Sequence, residues 1–221
     1  VGRVWRDVSR QLDKIPGELQ SKAQEVLQKV ERLLTQQTKD KNKLYSLHAP
    51  EVECISKGKS RQPYEFGVKV SVATTHKEGL VIGMRSLPGN PYDGHTLHEA
   101  LEQVEILTGQ RPKEVFVDLG YRGHNAPENI KVYHRNLKRG ITCRLKRDIK
   151  RRSAIEPMIG HMKNDGKLRR NWLKGADGDA FHALLCGCGH NLRMILKKLR
   201  LLCALIWILA YRQEGEEKTA R

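Results

Sequence analysis

Residues 113–123 read Lys-Glu-Val-Phe-Val-Asp-Leu-Gly-Tyr-Arg-Gly, a short apolar run that ends at an acidic residue and a glycine-rich turn. The run predicts a buried β-strand, and Gly120 and Gly123 predict the turn that follows it. Asp118 comes at the carboxyl end of this strand. In open α/β sheets, ligands and catalytic groups collect at the carboxyl ends of strands, so Asp118 is a candidate catalytic residue.

A second acidic residue, Glu156, lies in a later stretch with helical periodicity. Arg152, Glu156 and Lys163 follow the spacing i, i+4 and i+11, which places them along one face of a helix. The simplest interpretation is a solvated helix with one Arg–Glu pair, although Pro157 would kink it or mark its start. The presence of Asp118 favours a second interpretation, a metal site, because an Asp at a strand end and a Glu on a later helix can converge on one Mg²⁺ ion for phosphoryl transfer.

The two segments together resemble the catalytic core of bacterial DDE transposases, of the kind carried by insertion sequences of the IS4/IS5 type. In that family, the helix with the last acidic residue carries the signature Tyr-x2-Arg-x3-Glu-x6-Lys. Arg152, Glu156 and Lys163 match it, whereas Ile149 stands at the Tyr position. The family's second acidic residue precedes a Gly-Tyr element, which Asp118 and the three residues after it match.

The resemblance covers about residues 43–191, including Gly-Asn-Pro-Tyr-Asp-Gly-His-Thr-Leu at 89–97. It implies an α/β fold with an RNase H-like mixed sheet flanked by helices, a helical N-terminal arm and a helical C-terminus. It also implies that Asp118 and Glu156 are catalytic metal ligands for Mg²⁺ (or Mn²⁺) in DNA cleavage and strand transfer. The family's first catalytic Asp lies on an early strand that is not found here. We therefore expect that Asp upstream of residue 1, and a fragment that is inactive or nearly so by itself.

The charge balance indicates a polyanionic partner. Lys and Arg number 41 against 25 Asp and Glu, a net charge of +16, which ribosomal proteins and other RNA binders share. Together with the resemblance, the charge predicts that the partner is double-stranded DNA, both the transposon ends and the target. A homodimer stays open. The predicted DNA-contacting residues are Lys57, Lys59, Arg61, Tyr121, Arg122, Arg151, Arg152, Lys163, Arg169 and Arg170.

Four candidate functional segments or residues have plain structural alternatives. The loop around Lys57 could be a solvated hairpin turn, and Tyr121 could pack under the sheet. Trp172, beside Arg169 and Arg170, could stack on an unpaired base or belong to an ordinary core. Asp93 invites a metal or acid–base role, but we favour it as the cap of the following helix.

Periodicity and composition predict the domains. Residues 1–38 carry two apolar helical stripes interrupted at Pro16-Gly17, and they could form an arm, a coiled-coil surface, half of a family insertion, or a helix packed on its own domain. We expect a basic helical arm at 1–40, the core with C-terminal helices at 41–211, and a disordered tail at 212–221. Strands are predicted at 43–47, 51–56, 64–75, 80–87 and 141–145, and helices at 96–108, 127–137 and 180–211.

The cysteines and the apolar C-terminal stretch bear on location. Five cysteines without paired spacing indicate a reducing cytosol. The resemblance implies a bacterial cytoplasm, where a transposase would associate with the nucleoid. Cys186, Cys188 and His190 do not have the spacing of a tetrahedral zinc site. Residues 199–210 are apolar but fall short of the roughly 20 residues of a membrane span, so no membrane partner is expected. The rival functions are a non-catalytic nucleic-acid-binding protein derived from a transposase and a structural helical-bundle partner built on residues 1–38.

Overall fold

A computed structural model describes residues 1–58, 60–61, 63–137 and 140–219, with side chains as far as residue 211 except residue 210. The helices and strands alternate along most of the chain. In order they are α1 (Gly2–Ser9), α2 (Gly17–Thr35), β1 (Glu53–Ser56), β2 (Tyr64–Gly67), β3 (Lys69–Thr74), β4 (Val81–Leu87), α3 (Leu97–Thr108), β5 (Glu114–Val117), β6 (Lys131–His134), α4 (Cys143–Arg151), α5 (Ile155–Asn164) and α6 (Gly175–Thr219).

The chain forms two compact units, and the first consists mainly of residues 1–69. In this unit, the indole Nε1 of Trp5 donates a hydrogen bond to the carbonyl oxygen of Leu27 at 3.1 Å, which ties α1 to α2. Strands β1 and β2 pair antiparallel, from Glu53 opposite Gly67 to Ser56 opposite Tyr64. The predicted helical N-terminal segment and the strand at 51–56 therefore both have counterparts here.

The second unit contains a two-stranded sheet of β3 and β4 and a parallel pair of β5 and β6. The short connection between β3 and β4 requires an antiparallel hairpin, because a parallel crossover needs a dozen or more residues. In the parallel pair, Glu114 lies opposite Lys131 and Val117 opposite His134. The mixed α/β class predicted from the sequence is confirmed.

Two clusters of buried side chains form the core of this second unit. Met84, Met162, Ala183 and Cys186 join β4, α5 and α6. Leu97, Leu101, Val117 and Ile130 join α3 to the parallel strands. Helix α6 is also held to β4 by Asn191, whose side chain accepts from the N–H of Val81 and donates to its carbonyl, each at 2.8 Å. Helices α5 and α6 are thereby fixed against the hairpin.

Two predicted strands are wrong in detail, for reasons visible in the backbone hydrogen bonds. Residues 43–47 do not form a strand, because the Gln36 side chain bonds both the N–H and the carbonyl of Leu44, at 2.9 and 2.7 Å. The predicted strand 64–75 is split at Gly67, whose φ of 145° interrupts the extended conformation. The rest of the predicted hairpin is present as β3 and β4.

Two predicted elements are of the wrong type. The expected helix at 127–137 contains β6 instead, since Val132 and Tyr133 suit a strand and pair beside Val115 and Phe116. The expected strand at 141–145 is the start of α4, where the Thr142 hydroxyl accepts from the N–H of Leu145 at 3.2 Å as an N-cap.

The C-terminal helix is longer than the sequence indicated. Helix α6 continues to Thr219, where we had expected a disordered tail from residue 212. Glutamate and lysine in this segment have good helix propensity, which agrees with helical backbone. Within the described residues, no helix has the length and apolar character needed to cross a membrane.

Candidate active site

Asp118 follows β5 directly and caps the short turn Leu119–Tyr121. Its Oδ1 accepts a hydrogen bond from the N–H of Leu119 at 2.7 Å. Its Oδ2 lies 3.2 Å from Nη2 of Arg152. One oxygen of the carboxylate is therefore held by the backbone, and the other faces Arg152, just before α5. The Asp118 side chain is 57% exposed.

Arg152 brings the two predicted carboxylates together. Besides Asp118, its guanidinium contacts Glu156 through Nη1, 3.6 Å from Oε1. The Arg152 side chain is only 17% exposed, whereas Glu156 is 68% exposed. The guanidinium of Arg152 thus lies between Asp118, at the end of β5, and Glu156, on α5. The exposed oxygens limit each ion pair to about 1 kcal/mol or less, so stability alone gives a weak reason for this arrangement.

The donor set suits a divalent cation. Carboxylate oxygens are the preferred protein ligands of Mg²⁺, and the guanidinium of Arg152 stands where a positive charge is stabilised by both acids. Within the described residues, no three His, Cys, Asp or Glu side chains are grouped closely enough to hold a metal ion. Asp118 and Glu156 fit two positions of a metal site, and their roles stay predictions.

Asp93 approaches this site and was assigned differently from the sequence. A Cβ placed on Gly120 would lie 2.7 Å from Oδ2 of Asp93, so glycine is needed for the acid to reach the turn after Asp118. The N-cap residue of α3 is Thr96, and it makes no side-chain capping bond. Asp93 opens the short helical turn Asp93–Thr96 that leads into α3, and its capping role stays a prediction. No local sequence pattern predicts this contact, because the turns that contain Asp93 and Gly120 are more than 25 residues apart in the sequence.

Tyr121 packs beneath the strands rather than standing out from the turn. It contacts the cluster of Leu97, Leu101, Val117 and Ile130. Its hydroxyl hydrogen-bonds with the side chains of Ser71 and Thr96. Burial raises the pKa of Tyr121 above its usual value, and the negative charges of Asp93 and Asp118 raise it further, against the lowering effect of the two hydrogen bonds. Tyr121 therefore lies as the alternative of a packed residue describes, against the buried cluster.

The raised pKa of Tyr121 predicts a pH-dependent loss of stability. Because the folded state keeps the phenol proton above pH 10, where the unfolded state loses it, the free energy of unfolding falls as pH rises through that region. Tyr121→Phe should cost about 1–2 kcal/mol at neutral pH, since Ser71 and Thr96 lose a partner, and should flatten the fall at high pH. Urea unfolding across alkaline pH measures both effects. Tyr64→Phe, at an exposed tyrosine, is the matched control, and equal pH slopes for wild type and Tyr121→Phe would contradict the prediction.

Arg151 acts on the backbone of the β3–β4 turn. Its Nε donates to the carbonyl of His76 at 2.9 Å, and its Nη2 donates to the carbonyl of Lys77 at 2.7 Å. Nε2 of His76 lies 3.0 Å from the carbonyl of Asp148, and its ring lies 4.7 Å from that of Phe116. The end of α4, just before Arg152, is thus fixed to the hairpin. The sequence predicts Arg151 only as a phosphate contact, so this role in the fold is found from the structure alone.

The other predicted DNA contacts lie at several places. The guanidinium of Arg170 lies over the Trp172 ring, 5.8 Å from its centroid, and Trp172 is 62% exposed and so is not an ordinary core residue. Lys57 pairs with Glu65 at 3.2 Å in the first unit, which also contains Arg61. Arg122, Lys163 and Arg169 belong to the second unit, and Lys59 lies outside the described residues.

A groove of about 940 Å³ opens beside Asp118 within the second unit. It is lined by residues 70–75 at β3 and by residues 114–117 of β5. Arg152 and Met158 also line it. Among the described elements, β3 pairs with β4 and β5 pairs with β6, so the two strands that line the groove are not paired with each other.

Comparison with known proteins adds one match. Residues 33–192 match the family model described as "Transposase DDE domain". The matched segment is more than two thirds of the chain and includes Asp118, Arg152 and Glu156. No curated protein and no solved structure matches the chain significantly.

Proposed function

Because the chain belongs to the family of transposase DDE domains, we propose that it cleaves and joins the DNA ends of an insertion sequence of the IS4/IS5 type. The observation that carries this proposal is the single guanidinium of Arg152 between Asp118 and Glu156. The family implies a DNA substrate and divalent metal ions. Such a protein would act at the nucleoid of a bacterial cytoplasm.

The carboxylates of Asp118 and Glu156 would hold Mg²⁺ or Mn²⁺. When bound, the ion supplies Lewis acidity and a water of lowered pKa for attack on phosphorus. The Leu119 N–H keeps Asp118 in one orientation throughout. Arg152, displaced from between the acids, has the planar fork of donors that binds a phosphate through two parallel hydrogen bonds.

We further propose that the third carboxylate of the family comes from a strand that enters the groove between β3 and β5. The groove supports this because β3 and β5 both line it and are not paired with each other. A strand placed there would join the two small sheets into one mixed RNase H-like sheet, with its end beside Asp118. On this proposal the present residues form the carboxyl-terminal portion of the active protein and are inactive alone. A strand-transfer assay in which the chain alone gave robust Mg²⁺-dependent joining would overturn it.

A second function has one observation in its favour. Arg152 already pairs with both acids and offsets part of their charge, and a net charge of +16 supports binding to nucleic acid without any metal. A non-catalytic nucleic-acid-binding protein derived from a transposase would keep both features. The two functions differ in whether the acids bind a divalent ion.

Calorimetric titration with Mg²⁺ and Mn²⁺ separates the two functions. We expect Glu156→Gln to weaken metal binding about fivefold to tenfold, because the variant keeps the size of the side chain but removes one of two anionic ligands. Glu102→Gln, an exposed acid on α3, is the matched control and should leave binding unchanged. No binding by the wild type, or equal binding by all three proteins, would favour the non-catalytic function.

A further inference from the structure

The antiparallel ribbon of β1 and β2, in the first unit, exposes aromatic rings on one of its faces. Successive side chains of a strand point to opposite faces, so Tyr64 and Phe66 share a face with their cross-strand partners, Ser56 and Cys54. Tyr64 and Phe66 are 55% and 63% exposed. We call this face, together with the neighbouring Tyr45, the aromatic face. Exposed rings that are grouped rather than scattered indicate a contact surface.

Several contacts hold the rings of the aromatic face in place. Tyr45 contacts Phe66, with the ring centroids 5.4 Å apart and a tilt of 53° between the planes. The Tyr45 side chain also hydrogen-bonds with that of Cys54. Nζ of Lys43 lies 5.9 Å from the Tyr45 ring centroid and donates to the carbonyl of Thr38 at 2.7 Å. The aromatic face is therefore preorganised, so a ligand that stacks on it loses little free energy in ordering the rings.

The charges of the ribbon favour a polyanion on the aromatic face. The two acids of the strands, Glu53 and Glu65, lie on the opposite face. There Glu53 accepts a hydrogen bond from the N–H of Gly89, and Glu65 pairs with Lys57. Arg61, in the loop that joins the two strands, is exposed. Aromatic rings beside cationic side chains, on a strand face without carboxylates, are the composition of sites on which unpaired bases stack.

The spacing of the rings favours single strands over a duplex. Same-face neighbours on a β-strand are roughly 6.6–6.8 Å apart, whereas successive nucleotides of a duplex strand rise by only about 3.4 Å. The bases of a duplex are also paired and stacked on one another, so their ring faces are not free. Unpaired nucleotides can splay their bases outward and stack them on separate aromatic side chains.

We propose that the aromatic face binds single-stranded DNA, with unpaired bases stacked on Tyr64 and Phe66. The cationic side chains of Lys43 and Arg61 would attract the phosphates of the same strand. Stacking of this kind is tolerant of sequence, because every base has a ring face. The aromatic face would therefore recognise the unpaired state of the DNA rather than its sequence.

The choice of DNA rests on the proposed function, because a protein that cuts and joins DNA ends meets unpaired nucleotides where the duplex opens. The stacking itself needs neither a metal ion nor the side chains of Asp118 and Glu156. Binding measured in EDTA therefore tests the aromatic face alone, whereas the metal titration of Glu156→Gln tests the metal site. Either can fail without the other.

The test is the affinity of the full chain, in EDTA, for fluorescently labelled oligo(dT) of about ten nucleotides and for a duplex of the same length, measured by anisotropy. Tyr64→Leu with Phe66→Leu should weaken binding of the single strand at least about tenfold, because leucine has no ring face on which a base stacks. Its affinity for the duplex should stay within about twofold, since no charge is lost. Tyr64→Phe with Phe66→Tyr keeps both rings and should bind the single strand as the wild type does. Trp207→Leu, at an exposed ring of the second unit, is the matched control and should leave both affinities unchanged.

Duplex binding also reports whether each variant is folded. If the double leucine variant lost both affinities, Phe66→Leu alone should still lose single-strand affinity selectively, and equal losses in that single variant would overturn the proposal. A wild type that does not bind oligo(dT), or a Trp207→Leu variant that loses as much affinity as the leucine variants, would also overturn it. Binding of oligo(U) RNA at least about tenfold tighter than oligo(dT) would assign the aromatic face to RNA instead.

Discussion

We expect Met162→Ala to lower the free energy of unfolding by about 2–5 kcal/mol, a large fraction of the stability of an ordinary domain. The Met162 side chain is fully buried, and it joins Met84, Ala183 and Cys186 in the cluster between α5, β4 and α6. Truncation removes three heavy atoms and leaves a cavity whose walls belong to three different elements. Such walls cannot collapse together without moving α5, so relaxation recovers little of the loss.

Urea unfolding measures this effect, with a probe of the second unit because the chain forms two compact units. Met158→Ala is the matched control: it removes the same atoms from the same helix at a side chain that is only half-buried. Its cost should be less than half that of Met162→Ala. Equal costs would show that α5 is not held by this cluster. The outcome matters for function because Glu156 lies on the same helix, less than two turns before Met162.

We expect Arg152→Met to tighten the binding of Mg²⁺ or Mn²⁺ by about tenfold or more. The guanidinium lies within 3.2 to 3.6 Å of the two acids, so a metal ion must displace a positive charge before it binds. Removing that charge relieves the competition, and at an effective dielectric constant of about 20 one such contact is worth about 5 kcal/mol before solvent screening, which reduces it greatly at these exposed acids. Methionine keeps much of the apolar stem of the largely buried side chain.

The same variant should weaken the binding of double-stranded DNA, because it loses one candidate phosphate contact and reduces the salt dependence by about one charge. Arg147→Met, at an exposed arginine on α4, controls for the general loss of positive charge and should leave metal affinity unchanged. Opposite changes in metal affinity for Arg152→Met and Glu156→Gln would identify one site with a competing cation. If Arg152→Met left metal binding unaltered, the three side chains would be an ion-pair network with no metal function.

The local sequence was informative wherever short-range chemistry decides the outcome. A run of apolar residues followed by Asp118 and two nearby glycines predicted β5 and the turn after it, and both are present. The spacing of Arg152 and Glu156 predicted a one-turn contact, and their side chains are 3.6 Å apart. The family was also recognisable from these residues, and the match over residues 33–192 confirms it. The IS4/IS5 type and the catalytic roles stay proposals.

Segments with weak or mixed signals were assigned wrongly. The residues of β6 lie between Pro127 and Gly140 and lack a long alternating pattern, so their strand character depends on pairing with β5. The run around Cys143 has an extended pattern in the sequence, but the Thr142 hydroxyl, 3.2 Å from the Leu145 N–H, caps it as the start of α4. In both cases a single hydrogen-bonding partner selects between two conformations of similar intrinsic energy.

The sequence by itself determined the family, the mixed α/β class, the positive charge and the two acids, because these depend on residue identity and on spacings within a few turns. Only the tertiary structure decided that Arg152 lies between Asp118 and Glu156, that Asp93 reaches the turn at Gly120, and that Arg151 holds the β3–β4 turn. It also decided which aromatic rings are covered and which are left exposed. These contacts join segments tens of residues apart, and their geometry is set by how helices and strands pack, which no local pattern encodes.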